Sequence, residues 1–343
     1  MRASKTMSHI VSQPRILLSR TDNLGDIILT LPMAWHLKQH FPDCHIGFLC
    51  RPYAQELVAH CPFIDEVFLY DPKAPKQKII QTLQQTPFDA ILHVYPRKDI
   101  AFAAKKAGIT TRIGTSHRWY HWLTCNKRVA YSRAKSHLHE SLLNLPLLAP
   151  LGITTVENPK DIPLLTPKTR LSKALQNRLD PSKFNLVLQP LSNGNGREWP
   201  MAHFIALTQT LLKTQQVHIL LNGAPNEAER LTELAALLPK KQHLFDISLN
   251  DKVIFFAACD GMVSNSTGPM HIAAALGIHT LGLFPPKPTM DPKRWGPIGA
   301  KAEYMVVSKP CDTPCSNTDC ACMRDLRVQQ VITRIERWLT AKA

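Results

Sequence analysis

The chain has 343 residues, 44% of them hydrophobic, enough to bury a substantial core in two domains and too many for a disordered segment. Its 41 Lys and Arg against 26 Asp and Glu give a formal charge of +15, which favours a partner carrying phosphates or carboxylates. Zinc-finger spacing, basic-region heptads and an RNA-binding aromatic signature are lacking, which argues against nucleic acid. No apolar run approaches the roughly 18 to 20 residues that span a bilayer, and residues 1–15 carry no apolar leader core, so a cytoplasmic protein is expected.

The first apolar run, RILLS at 15–19, is followed by the turn-like TDNLGD and an apolar stretch over 27–37, which reads as strand, loop and helix. The rhythm returns in strands at 45–50, 66–70 and 90–94, with helices near 53–60 and 100–107. Six prolines between 146 and 181 interrupt it and mark the connection to a second series. That series predicts strands at 185–189, 217–221, 261–263 and 280–284, helices beginning near 202, 226, 252 and 269, and a last helix over 328–339. Alternating strands and helices predict an α/β chain of two doubly wound domains, with a ligand cleft outside the carboxyl ends of their strands. The expected boundaries are 1–180, 181–326, and a helix in 327–343 that packs back on the first domain.

Three constellations carry chemistry. In Thr21-Asp22-Asn23-Leu24-Gly25-Asp26, the carboxylate of Asp26 stands at a helix entrance. It either caps that helix, for about 1 kcal/mol, or accepts a proton from an attacking hydroxyl. A lone carboxylate without a nucleophile partner suits an inverting displacement. The Gly-rich loop from Leu191 to Pro200 contains Ser192, Asn193 and Arg197; it is either an ordinary turn or a set of backbone donors for a phosphate, which Arg197 would join. In the third, Ser264-Asn265-Ser266-Thr267-Gly268-Pro269-Met270-His271, small polar residues leave a strand and Pro269 opens a helix, whose unpaired N–H groups suit a diphosphate. His271, one turn in, is either a helix histidine with a backbone partner or a further donor.

LGDIILTLP, REWP and NSTGPMHIAAALG, in this order, resemble the bacterial ADP-heptose lipopolysaccharide heptosyltransferases, glycosyltransferase family 9. The cluster of Cys311, Cys315, Cys320 and Cys322, followed by MRDL, is similar to that family's C-terminal region. The resemblance implies a GT-B fold of two Rossmann-like domains. It implies an acceptor held by the first domain, a nucleotide-sugar donor, ADP-heptose, held by the second, and inversion without an obligatory metal or other cofactor. Asp26 then matches the catalytic base, while Ser192, Asn193 and Arg197 match donor-diphosphate contacts. Glu227 matches a ribose acceptor and Ile247 a position beside the adenine. Ser266, Thr267, Gly268 and His271 complete the diphosphate set. Arg197 stands where the family carries lysine, exchanging a point donor for a planar fork, and Ser266 where many relatives carry aspartate. These departures admit another nucleotide sugar, or a non-catalytic glycolipid-binding homologue. A nucleotide-sugar epimerase shares the donor features, and a nicotinamide-dependent dehydrogenase is disfavoured because LGD is not a G-x-G-x-x-G fingerprint.

Between Arg97 and His137 lie ten Lys or Arg and one acid, Asp99, interleaved with Trp119, Tyr120 and Trp122. A solvated face and a surface for an acidic lipid A/core glycolipid are the two readings; the resemblance favours the second, with peripheral binding to the cytoplasmic face of the inner membrane. Of the nine cysteines, Cys44, Cys50, Cys61, Cys125 and Cys259 read as small hydrophobes. Cys311, Cys315, Cys320 and Cys322, C-x3-C-x4-C-x-C, are spaced poorly for zinc and read as a loop over a metal site.

Overall fold

The computed structural model describes residues 13–131, 133, 136, 138–154, 157–159, 161–192, 194, 196–307 and 320–342. The chain divides into two units, Met1–Pro159 and Lys160–Ala343. The first is built on β1 (Arg15–Ser19), β2 (His45–Cys50), β3 (Glu66–Leu69), β4 (Ala90–His93), β5 (Thr111–Thr115) and β6 (Lys127–Val129). These strands are all parallel, in the order β3-β2-β1-β4-β5-β6. Ile16, Leu17 and Leu18 are at most 1% exposed, the mark of a strand covered on both faces by crossover helices. Leu17, Leu49, Phe68 and Ile91 form one core with Ile79 and Leu83 of helix Lys76–Gln85 and Ile100 and Ala104 of helix Lys98–Lys106. Chain order runs outward in both directions from the β1–β4 pair, so that pair is the topological switch point, where a doubly wound sheet leaves a crevice at its carboxyl edge.

The apolar stretch after TDNLGD forms two helices, Leu24–Ile28 and Leu31–His40, because the first ends at Leu29 and Pro32 sits in the opening turn of the second, where a missing N–H costs nothing. Strands β5 and β6 were not anticipated: Arg112, Lys127 and Arg128 break the apolar pattern, and only Ile113, Gly114 and Thr115 of these two strands are buried.

The second unit holds β7 (Phe184–Gln189), β8 (Val217–Leu221), β9 (Gly261–Asn265), β10 (His279–Phe284) and β11 (Ala302–Val306), parallel in the order β11-β10-β9-β7-β8. Its switch point is the β7–β9 pair. The division at Pro159 falls inside the Pro-bearing segment but before the expected boundary at 180/181. Residues on its far side are tied to the second unit, since the amides of Leu164 and Leu165 donate to Ala275 O at 2.9 and 3.1 Å and Arg178 forks onto Asp246 at 2.9 and 2.8 Å.

The last helix, Val328–Lys342, which the sequence leads one to expect on the first domain, falls within the second unit. Val331, Ile335 and Trp338 form one apolar stripe that enters the second unit's core beside Phe204, Leu207 and Leu211. Trp338 stacks on Phe184 with ring centres 6.3 Å apart, and the indole of Trp199 donates to Leu326 O at 2.7 Å just before the helix. Among the described residues no helix is long and apolar enough to cross a membrane.

Candidate active site

Asp26 lies in the first turn of helix Leu24–Ile28, just beyond the carboxyl end of β1, yet its carboxylate is not spent on capping. The N-cap position is Asn23, which makes no capping bond, and Asp26 Oδ1 instead accepts from Arg20 Nη2 at 2.5 Å. Arg20 is buried and divides its guanidinium among several acceptors: Nε meets Asp22 Oδ1 at 2.7 Å, and Nη1 meets Glu140 Oε1 at 3.5 Å and Asn144 Oδ1 at 3.3 Å. Arg133 joins from the other side, with Nε on Glu140 Oε1 at 2.9 Å and Nη2 on Asn144 Oδ1 at 2.7 Å. Asn144 Nδ2 closes the network on Leu29 O at 3.1 Å.

Two guanidinium groups thus face three carboxylates, Asp22, Asp26 and Glu140, in a largely dry setting. Burial opposes the charge on Arg20, but the three carboxylates more than offset it and keep the group firmly protonated. Asp26 moves the other way: burial, reinforced by Asp22 and Glu140, outweighs the pull of Arg20 and pushes its carboxyl from 3.8 to about 6. A carboxylate so placed is oriented by an ion pair and still holds a proton affinity useful near neutral pH.

In the second unit, Ser192 follows β7 and Ser266 follows β9, so the two loops leave neighbouring strands at the switch point. Gly196 joins them: a Cβ there would stand 2.9 Å from Ser266 O, so only glycine allows the backbones this close. Gly194 takes φ 76°, a left-handed turn that glycine adopts without strain. Glu198, 4% exposed, braces the first loop by accepting from Ser192 N at 2.9 Å and Ser192 Oγ at 3.1 Å, and its other oxygen accepts from Arg230 at 2.5 Å. Asn265, at the end of β9, accepts from Trp199 N at 2.9 Å and donates to Pro190 O, locking both loops together. Helix Gly268–Ala275 then begins at Thr267, whose side chain makes no capping bond and lies 3.3 Å from Ser264 Oγ. The site therefore offers an uncapped helix start, the half-buried Arg197 and the buried His271, one turn inside. That set suits a diphosphate.

Glu227, buried in the 3-10 helix Pro225–Leu231, accepts from Ala224 N at 2.8 Å through Oε2. Lys252 stands near it and donates to Gly223 O at 2.7 Å; burial pulls its ammonium from 10.5 down to about 8, against the charges of Glu227 and Asp246. Ile247 is half-buried in the turn before helix Leu249–Ala257.

Ser192, Arg197, Ser266 and Thr267 thus belong to two loops that leave neighbouring strands, Gly268 and His271 to the helix that follows the second, and Glu227 and Ile247 to separate turns of the same unit. Asp26 sits in the other unit, and Asn193 lies outside the described residues. Sequence reading missed Arg20, Glu140, Arg133 and Asn144 around Asp26. The separation of 120 residues between Arg20 and Glu140 leaves no local pattern to find. It also missed Glu198, Arg230, Asn265 and Lys252; a glutamate directly after Arg197 and before an apolar tryptophan was the available signal. Cys311 and Cys315 lie outside the described residues, while Cys320 and Cys322 pack in the second unit's hydrophobic core.

Known proteins share this arrangement over most of the chain. The Campylobacter jejuni lipooligosaccharide heptosyltransferase 2 is 23% identical across 92% of this chain and 96% of its own. The crystal structure of a Veillonella parvula glycosyl transferase of family 9 matches with TM-score 0.78 and 18% identity, covering 96% of this chain and 97% of that one. The Escherichia coli heptosyltransferase WaaC, solved with ADP, matches with TM-score 0.70 and 21% identity over 94% and 99%. These structures establish two parallel-sheet α/β units of the GT-B fold. The sequence pattern of glycosyltransferase family 9 (heptosyltransferase) matches residues 76–323, and the chain belongs to that family of glycosyltransferases.

Proposed function

We propose that this protein transfers a heptose, or a closely related sugar, from ADP-heptose to the inner core of lipopolysaccharide with inversion at the anomeric carbon. The observation that carries the reading is Asp26, a carboxylate held by Arg20 at the carboxyl end of β1 with its proton affinity raised to about 6. In the proposed step Asp26 accepts the proton of an acceptor hydroxyl as that oxygen attacks the anomeric carbon, and the bond from that carbon to the diphosphate oxygen breaks to release ADP. Ser192, Asn193, Arg197, Ser266, Thr267, Gly268 and His271 hold the diphosphate. Arg197 and His271, with the helix start at Gly268, stabilise the charge that develops on it. Glu227 receives ribose hydroxyls and Ile247 lies against the adenine. WaaC was solved with ADP, and in this chain the start of helix Gly268–Ala275, which has no side-chain cap, offers a site for an anion. The first unit would take the anionic lipid A/core glycolipid, with the enzyme working peripherally on the cytoplasmic face of the inner membrane. No metal or organic cofactor enters this step.

Calorimetry with ADP, UDP and GDP on the wild type and on Arg197→Ala tests the donor site. ADP-selective binding that is lost in the variant supports the reading. Selectivity for UDP or GDP overturns the ADP-heptose reading and assigns the same fold a different donor.

A further inference from the structure

The basic stretch after Arg97 folds into a surface whose composition the sequence did not resolve. On helix Lys98–Lys106, every third or fourth residue faces outward: Lys98, Phe102, Lys105 and Lys106 are exposed, while Ile100, Ala101, Ala103 and Ala104 are buried. On helix Trp119–Thr124 the exposed residues are Trp119, Trp122 and Leu123, while Tyr120, His121 and Thr124 point inward.

These two exposed faces adjoin. Lys105 Nζ donates to Leu123 O at 2.8 Å, and Lys98 Nζ sits 4.9 Å from the ring centre of Trp119. From the neighbouring strand β6, the Arg128 guanidinium lies 4.4 Å from the ring centre of Trp122. Trp119, Trp122 and Leu123 are 61%, 60% and 56% exposed, and Phe102 is 40% exposed, so four large apolar side chains share one basic surface. Single exposed apolar residues need no account, but a contiguous group ringed by cations marks a binding surface. The acid of the stretch faces elsewhere: Asp99 is held by the Tyr70 hydroxyl and by Arg97 Nε at 3.3 Å.

We infer that this face docks on an anionic lipid bilayer, with Trp119, Trp122, Leu123 and Phe102 entering the interfacial layer and Lys98, Lys105, Lys106, Arg118, Lys127 and Arg128 meeting phosphate headgroups. The inference deepens the reading above and rests on it for one point, that a lipid-anchored acceptor is presented at a membrane. Charge alone would suit nucleic acid equally well, but Leu123 and Phe102 offer a nucleotide backbone nothing. Trp122 moreover donates its indole N–H to Ser116 O at 2.9 Å, so the ring edge left outside is apolar and loses no hydrogen bond on entering lipid. Aromatic residues beside Lys and Arg are the pairing that interfacial anchors use.

The test is co-sedimentation with vesicles of phosphatidylcholine alone and of phosphatidylcholine mixed with phosphatidylglycerol, neither containing any acceptor sugar. Wild-type protein should pellet with the anionic vesicles and not with the neutral ones, and brominated lipid should quench part of its tryptophan fluorescence. Trp119→Ala with Trp122→Ala should cut partitioning at least tenfold and abolish that quenching, while Lys98→Gln and Arg128→Gln should each cost about fivefold. ADP binding by calorimetry on the same samples reports folding and donor-site integrity. Turnover of a delipidated acceptor reports the reaction apart from the membrane, so failure of the docking face and failure of the transferase reading give different results. Unchanged partitioning in the double tryptophan variant, equal binding to neutral vesicles, or retention by a nucleic-acid duplex without vesicle binding would each overturn the inference.

Discussion

Replacing Asp26 by asparagine separates the catalytic value of this carboxylate from its cost to the fold. The side chain is 14% exposed, and its carboxyl is raised from 3.8 to about 6, so the native state holds this proton more tightly than the unfolded chain does. Each pKa unit corresponds to about 1.4 kcal/mol, so the ionised carboxylate costs the native state about 3 kcal/mol once both native and unfolded chains are ionised. Asparagine resembles the protonated acid, and its Oδ1 can still accept from Arg20 Nη2. The sign follows from linkage. Between about pH 4 and 6 the native chain holds a proton that the unfolded chain has released, so wild-type stability declines as pH rises through that window, and the cost persists above it. Asp26→Asn lacks this slope. Urea denaturation at a series of pH values should find the variant close to wild type at pH 4 and more stable by about 3 kcal/mol from pH 7 upward, with sugar transfer abolished and ADP binding kept. A variant less stable than wild type at neutral pH, or a gap that fails to close towards pH 4, would refute the assignment of a raised proton affinity to Asp26.

In Glu140→Gln the amide oxygen can keep both guanidinium contacts while removing one of the charges that raise Asp26. The acid limb of the pH–rate profile should move below 6, with a lower plateau because the base is weaker; an unmoved limb would exclude Glu140 from tuning it. Gly196→Ala places a methyl group 2.9 Å from Ser266 O, which forces the two loops apart at about 1 to 3 kcal/mol. ADP affinity should fall at least tenfold by calorimetry, and Asp26 titration should not change. Lys252→Met removes the bond to Gly223 O and the cation beside Glu227, and should raise the donor KM severalfold with kcat nearly constant. Because burial lowers the wild-type ammonium to about 8, wild-type stability should rise with pH between about 8 and 10.5, and the variant should lack that rise.

The strands that sit at the switch points were legible because they are buried on both faces: Phe184–Gln189 is six buried residues in a row, and Arg15–Ser19 is nearly so. The strands at the sheet margins were not. β6 and β11 expose part of each face, and Lys127, Arg128 and Glu303 read as loop or surface. The residues around the motifs were legible only where the chain itself brings them together. Ser192 and Glu198 are six residues apart and lie in one loop, so the signal for Glu198 was local although it went unread, whereas Asn265 reaches Trp199 and Pro190 across 66 and 75 residues by strand pairing. The last helix shows the same limit: its stripe predicts that it packs, but Val331, Ile335 and Trp338 do not say against which unit.

The arrangement around Asp26 answers a problem that any buried base poses. An ion pair that orients a carboxylate normally also acidifies it, and a base with a strongly lowered pKa accepts protons poorly. Arg20 could fix the geometry of Asp26 at 2.5 Å and in the same stroke quench it. The surrounding charges prevent this. Arg20 is shared with Asp22 and Glu140, and Arg133 is directed to Glu140 and Asn144, so among the described groups of the cluster three carboxylates face two guanidinium groups. That surplus falls on Asp26 because Asp22 and Glu140 both repel its charge while burial strips its hydration. Orientation and basicity are thereby set by different neighbours: Arg20 supplies the first, and the carboxylates of Asp22 and Glu140 restore the second. A carboxylate capping its own helix would have had only the first property, since the amides that hold it would have made it a weaker base.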